Sequence, residues 1–258
     1  MTDKVRIETE KAPASTGFRS QGLIAGGILF TAGQIGAAMP QPGVLREPSG
    51  VMEEAVRFTL GHLEQVTRAA GLDLSNVFEV SAFPKIGGCR ERIWQETTAY
   101  LGFEPELYNC HEVYDVAAHA LIEMDWMAAA DPGLLLAQAA DWMRPFGSEI
   151  TGSAIHSGPF VMWNGLRGYG DDLGAASHAL LNDLKARLEA DGGGLDDLVK
   201  LTIYLHAFDP YPMFNEATKT HFAAIIPPTR SVLVAPDVTG DAKIVIDALA
   251  LKRSEQID

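Results

Sequence analysis

At 258 residues the chain is long enough for one large domain or two small ones, since soluble domains commonly run to roughly 100–150 residues. With 47% hydrophobic, 21% charged and 8% aromatic residues, it has the make-up of a packed protein and not of a disordered one. A formal charge of −14 repels phosphate backbones and anionic lipid, which sets nucleic acid and membrane surfaces aside as partners.

The opening residues MTDKVRIETE carry mixed charge and no apolar segment, and no apolar run approaches membrane-spanning length, so a cytoplasmic location is expected. Residues 22–36 (GLIAGGILFTAGQIG) form a β-rich apolar run broken by glycines. The Pro/Gly-rich stretch 37–50 reads as a loop. Residues 51–72 then place Val56, Leu60, Leu63 and Val66 on one stripe and stop at Gly71, which predicts an amphipathic helix. A strand pattern follows at 76–83, a second helix at Arg90–Leu101, and a closing apolar strand near Ala120–Ala128.

The same order then repeats. Residues 157–170 (SGPFVMWNGLRGYG) have the texture of 22–36, with Gly165 answering Gly33. A helix stripe of Leu181, Leu184 and Leu188 ends in three glycines, a strand pattern spans Leu198–Leu205, and a helix covers Met213–Ala224. The last strand pattern is Lys243–Leu251. Between the copies, Asp131 followed by Pro132 is a helix-start signal, so a short helix over about 132–143 is expected to join them. The division is therefore 1–128, a linker at 129–149, and 150–258. Strand, strand, helix, strand, helix, strand, strand in each copy implies an α+β layer with two helices on one face of a mixed sheet, the other face packing against another copy.

No metal constellation is visible: the seven histidines include no HxH or HExxH pair, and Cys89 and Cys110 have no CxxC partner. No phosphate-binding glycine loop and no GxSxG elbow occurs, so a nucleotide cofactor has no support. What stands out is PPTRSVLVAPDVTGDAKIVIDALALK at 227–252. Two prolines fix the approach of Arg230 to an apolar strand, where a planar guanidinium can meet a carboxylate. A surface loop arginine is the plain alternative.

The PxRS-V motif and the closing apolar-acid-apolar strand resemble the C-terminal signature of the reactive intermediate deaminase (Rid, or YjgF-like) family, and APASTGFRSQG with LFTAGQIG resembles its N-terminal strands. The resemblance spans both copies. It implies a chorismate-mutase-like α+β fold in each, homo-oligomeric and usually trimeric assembly with ligand clefts between units, and cofactor-independent hydrolysis of small carboxylate-bearing enamines or imines to keto acids and ammonia. In the second copy it places Arg230 at the carboxylate-binding position, Asn164 and Gly165 at the Ser-Gly pair that offers backbone donors, and Asn215 at the helix asparagine, while Val245 stands where the family has Glu. In the first copy Glu123 holds the acid position, Tyr108 replaces the arginine, Cys110 matches the family's cysteine, and Ala32 and Gly33 answer the Ser-Gly pair. Arg19 occupies a position near the pocket mouth that is usually aromatic, where a second guanidinium suits a larger or dianionic acid.

Each copy thus holds what the other lacks, and three readings stay open. Glu123 and Arg230 meet in one pocket between unlike copies; or the site serves another reaction on a small acidic metabolite, as chorismate-acting relatives of the fold do, with the 37–50 loop and Tyr108 in support; or the chain binds a ligand without catalysis. Ribonuclease activity, also ascribed to the family, fits poorly with an acidic chain lacking a basic patch.

Overall fold

The computed structural model describes residues 4–14, 17–42, 44–131, 154–208 and 210–252; the helix expected at 132–143 lies outside them. The first unit contains β1 (Val5–Ile7), β2 (Gly22–Ala25), β3 (Ile28–Thr31), β4 (Gln34–Ile35), α1 (Met52–Ala69), β5 (Val77–Pro84), α2 (Arg90–Leu101), β6 (Leu107–Cys110), β7 (Asp115–Val116) and β8 (Ile122–Ala129). The second contains β9 (Ala154–Ser157), β10 (Phe160–Gly168), α3 (Leu173–Ala190), β11 (Leu198–Leu205), α4 (Tyr211–Phe222), β12 (Thr229–Val234), α5 (Pro236–Thr239) and β13 (Ile244–Leu251).

Local chemistry sets these limits. The Asp172 side chain accepts the Ala175 amide at 2.8 Å and caps α3. Gly102, with φ of 82°, supplies the left-handed residue that ends α2. Helix α4 starts at Tyr211 and not at the expected Met213, because Pro212 sits in its first turn, where a proline costs no helical hydrogen bond.

One sheet runs β1-β2-β3-β8-β5-β6, with β4 also on β8; the other runs β7-β12-β11-β13-β10-β9. The series β2-β3-β8-β5-β6 and β9-β10-β13-β11-β12 are the same order, and in each the third and fourth strands named are antiparallel while the last two are parallel. The chain is therefore two tandem α+β units, each a mixed sheet with two helices on one face. Alternation decides what faces where. On β8, Met124, Trp126 and Ala128 pack under the helices of their unit, and on β13 so do Ile244, Ile246, Ala248 and Ala250.

The opposite faces pack on one another within the chain. Leu23, Phe30 and Met127 meet Phe160, Val199 and Leu249 in one cluster, and Ile35 and Phe83 meet Tyr204, Leu233 and Val245 in another. The rings of Phe30 and Phe160 stand edge to face at 5.7 Å. The sequence pattern does not reveal β7, a two-residue strand of the first unit that adds to β12 of the second sheet through Val116 opposite Leu233 and Asp115 opposite Val234. Among the described residues no helix is long and apolar enough to cross a membrane.

Candidate functional site

Burial at the unit interface is not wholly apolar. Glu123, the second residue of β8, is buried, and its Oε1 accepts the Val232 amide of the second unit at 3.1 Å. Gly33 lies directly against this carboxyl group: a Cβ at position 33 would overlap Oε1. Burial pushes the Glu123 carboxyl up from 4.5 to about 7, against the Val232 amide and the positive charge of Arg19, which hold it down. Such a group is half-protonated near neutral pH and can give or take a proton.

Arg230, the second residue of β12, is 1% exposed. Its Nη2 donates to the Tyr211 hydroxyl at 2.8 Å and to Asn215 Oδ1 at 2.6 Å. The guanidinium also lies over the rings of Tyr211 and Phe214, at 5.6 and 5.5 Å from their centroids. Burial lowers its pKa to about 10, and the Arg19 charge acts in the same direction while Glu123 opposes it. The Arg230 carbonyl accepts the Gly33 amide at 3.1 Å, so the strand carrying the arginine is bonded to the residue that abuts the acid. Glu123 and Arg230, from different units, thus line one interface inside a single chain, together with Gly33, Asn215 and Arg19, whose Nη1 donates to the Gly33 carbonyl at 3.3 Å.

Other expected members are placed elsewhere. Tyr108 packs against Trp94 at 4.8 Å, under the Arg90 guanidinium at 5.6 Å, beside Cys110, at the edge strand β6. Val245 is fully buried between the two sheets. The two positions thus lie in different parts of the chain, Tyr108 against the helix-side core of the first unit and Val245 between the sheets. The Gly33 amide bonds to Arg230, and the Gly165 amide, at a bulge in β10 next to the buried Asn164, bonds to Asp247 Oδ1 at 2.6 Å. Both amides are bonded within the chain, and Gly33, lacking a Cβ, leaves room for the Glu123 carboxyl.

Sequence reasoning missed Tyr211, Phe214 and Gly17. The helix spacing 211, 214, 215 puts three side chains on the face that meets Arg230, a signal available once Pro212 is taken as a helix start. Gly17, at φ of 77°, passes so close that a Cβ there would lie 2.7 Å from both Arg230 Nη2 and Asn215 Oδ1. A cavity of about 610 Å³ lies apart from these residues, lined among others by Arg6, Glu8, Thr9, Gln21 and Pro42.

The family model described as Endoribonuclease L-PSP matches residues 150–252. A RutC family protein of Synechocystis sp. is 30% identical over 135 residues, covering 50% of this chain and 97% of the relative. The chain belongs to the Rid, or YjgF-like, family. Other Rid-family relatives align over shorter stretches: the 2-iminobutanoate/2-iminopropanoate deaminase of Rattus norvegicus is 40% identical over 75 residues, 29% of this chain and 53% of the relative. TdcF of Escherichia coli K12 is 35% identical over 77 residues, 30% of this chain. The chain spans only 57% of TdcF, little more than half of the curated relative. Among solved structures, the Rid family protein YyfA of Yersinia pestis is 25% identical with a TM-score of 0.45, covering 50% of this chain and all of that one. E. coli TdcF with bound serine is 20% identical with a TM-score of 0.44, covering 49% of this chain and 99% of that one.

Proposed function

We propose that the chain hydrolyses a small carboxylate-bearing enamine or imine to a keto acid and ammonia, in a composite site between its two units, read as residues 1–128 and 150–258. The observation that carries this reading is that Glu123, with a carboxyl near neutrality, and the buried Arg230 come from different units and line the same interface, where each charge acts on the other. Arg230 pairs with the substrate carboxylate and orients it. Protonated Glu123 gives its proton to the imine nitrogen and, as carboxylate, takes one from the attacking water, so a carbinolamine forms. The acid then protonates the amine, ammonia leaves, and the hydroxyl proton returns to Glu123, giving the keto acid. Asn215 and Tyr211 hold the guanidinium in place.

The named activities of relatives, deamination of 2-iminobutanoate and 2-iminopropanoate in rat, support this chemistry. The endoribonuclease of the family description draws no support from a chain of net charge −14 whose two candidate groups are buried away from any polyanion. The site as read is complete within one chain, so it does not depend on the homotrimer that we propose from the family resemblance.

The test generates 2-imino acids in place from amino acids with an oxidase and follows keto-acid release. Arg230→Ala should lower kcat/KM by about ten- to a hundredfold, the equivalent of about 1.5–3 kcal/mol for a charged hydrogen-bonded contact. Unchanged turnover in that variant would remove Arg230 from the mechanism.

A further inference from the structure

The wall of the composite site that comes from the first unit carries a second guanidinium. Arg19 is held on the Gly33 carbonyl, and Gly33 is the residue pressed against the Glu123 carboxyl group. The loop that bears it is tied to the approach to Arg230: the Ser20 amide donates to the Pro228 carbonyl at 3.2 Å and the Ser20 hydroxyl to the Pro227 carbonyl at 2.7 Å. Gly17, in the same loop, lies against Arg230 and Asn215. Both guanidinium groups are therefore held along one short stretch of the interface, Arg19 on Gly33, which abuts Glu123, and Arg230 on Tyr211 and Asn215.

The two cations repel, and each acts on Glu123. Arg19 Nε is buried and has no hydrogen-bond partner among the described residues, and among those residues no carboxylate pairs with Arg19. A buried donor without an acceptor and a second cation near Arg230 are both unfavourable, and an anionic group lying between them relieves both. A substrate with one carboxylate satisfies Arg230 alone.

We propose that the substrate carries two carboxylates, a 2-imino dicarboxylic acid whose proximal carboxylate meets Arg230 and whose distal carboxylate meets Arg19. For the reacting group this rests on the deaminase reading above; for the two anion positions it does not. Arg19 is then the specificity residue.

The experiment compares wild-type kcat/KM for iminosuccinate and 2-iminoglutarate, made from aspartate and glutamate, with that for 2-iminopropanoate, made from alanine. One of the dicarboxylic imines should be preferred by about tenfold or more, and Arg19→Met should collapse that ratio toward one. A wild-type preference for 2-iminopropanoate, or a ratio that survives in Arg19→Met, overturns the proposal; the wild-type ratio decides even if the variant does not fold. In parallel, calorimetry measures binding of succinate and of propionate to both proteins. Succinate binding that exceeds propionate binding and depends on Arg19, with no imine turned over, would keep the two-anion site and discard the deaminase reading. Turnover of imines with no preference for two carboxylates would do the reverse.

Discussion

At the scale of single residues, the account depends on how Glu123 holds its proton. Its carboxyl is raised from 4.5 to about 7 by burial, so between those pH values the folded chain binds a proton that the unfolded chain has released. The stability this group contributes is fully present below pH 4.5 and is lost as pH rises through 7, by up to about 3 kcal/mol. Glu123→Gln keeps an acceptor for the Val232 amide and cannot ionise. Its melting temperature is therefore expected to match the parent at pH 4.5 and exceed it at pH 8, read by thermal denaturation at both. The same variant should lose about a hundredfold or more in kcat/KM, and parental activity should decline above pH 7 as the proton donor is lost. Gly33→Ala places a methyl on the Glu123 carboxyl, so it should lower activity while leaving the sheet order intact, as circular dichroism would report. Arg230 stood out in the sequence through the two prolines and the apolar strand beside it, and Glu123 through the family resemblance. Tyr211 and Gly17 did not, since the part of each depends on contact with Arg230, 19 positions beyond Tyr211 and 213 beyond Gly17, which belongs to the other unit.

At the scale of elements, the two units present the same constellation with its chemistry exchanged. Arg90 and Tyr211 each open the second helix of their unit, and Tyr108 and Arg230 are each the second residue of the following strand. In the first unit the cation on the helix lies over the ring on the strand at 5.6 Å; in the second, the cation on the strand lies over the ring on the helix, also at 5.6 Å. The packing of helix on strand survives the exchange, but the second unit's cation is buried, held on Tyr211 and Asn215 with Gly17 of the first unit against it. In the first, Arg90 is exposed and bonds the Cys110 carbonyl at 3.2 Å. Arg90→Ala should accordingly leave imine turnover within about twofold of the parent, the usual range for a surface substitution; a loss as large as that of Arg230→Ala would mean that the reaction uses the first unit's edge. Sequence comparison of the copies shows that Tyr108 replaces an arginine, but the compensating arginine lies 18 residues earlier, on another element, and is matched only when the helix starts are aligned.

At the scale of the whole molecule, helix and strand periodicities made the tandem repeat legible, because each buried stripe repeats in order. How the units meet was not, since it rests on β7, two residues long, and on a buried polar cluster that alternation alone does not pair. There Asp125 of β8 bonds Lys200 of β11 and, at 2.5 Å, Ser231 of β12. Glu79 of β5 lies beside them, its carboxyl raised first by burial and then by Asp125, while the Ser81 hydroxyl donates to it at 2.6 Å. Glu79 and Lys200 are each the third residue of equivalent strands, so matching positions of unlike units meet in one cluster, whose ion pair is Asp125 with Lys200. Lys200→Met leaves buried Asp125 without its cation and should cost about 3–5 kcal/mol in chemical denaturation; a stability within 1 kcal/mol of the parent, roughly the worth of an exposed pair, would show that the cluster does not hold the units together. The central claim, that unlike units share one site, is tested most directly by a double-mutant cycle on kcat/KM with Glu123→Gln and Arg230→Lys in the intact chain. The account predicts strong non-additivity, the double variant losing little more than the worse single one. Two losses that simply add would place the acid and the arginine in independent roles and contradict it.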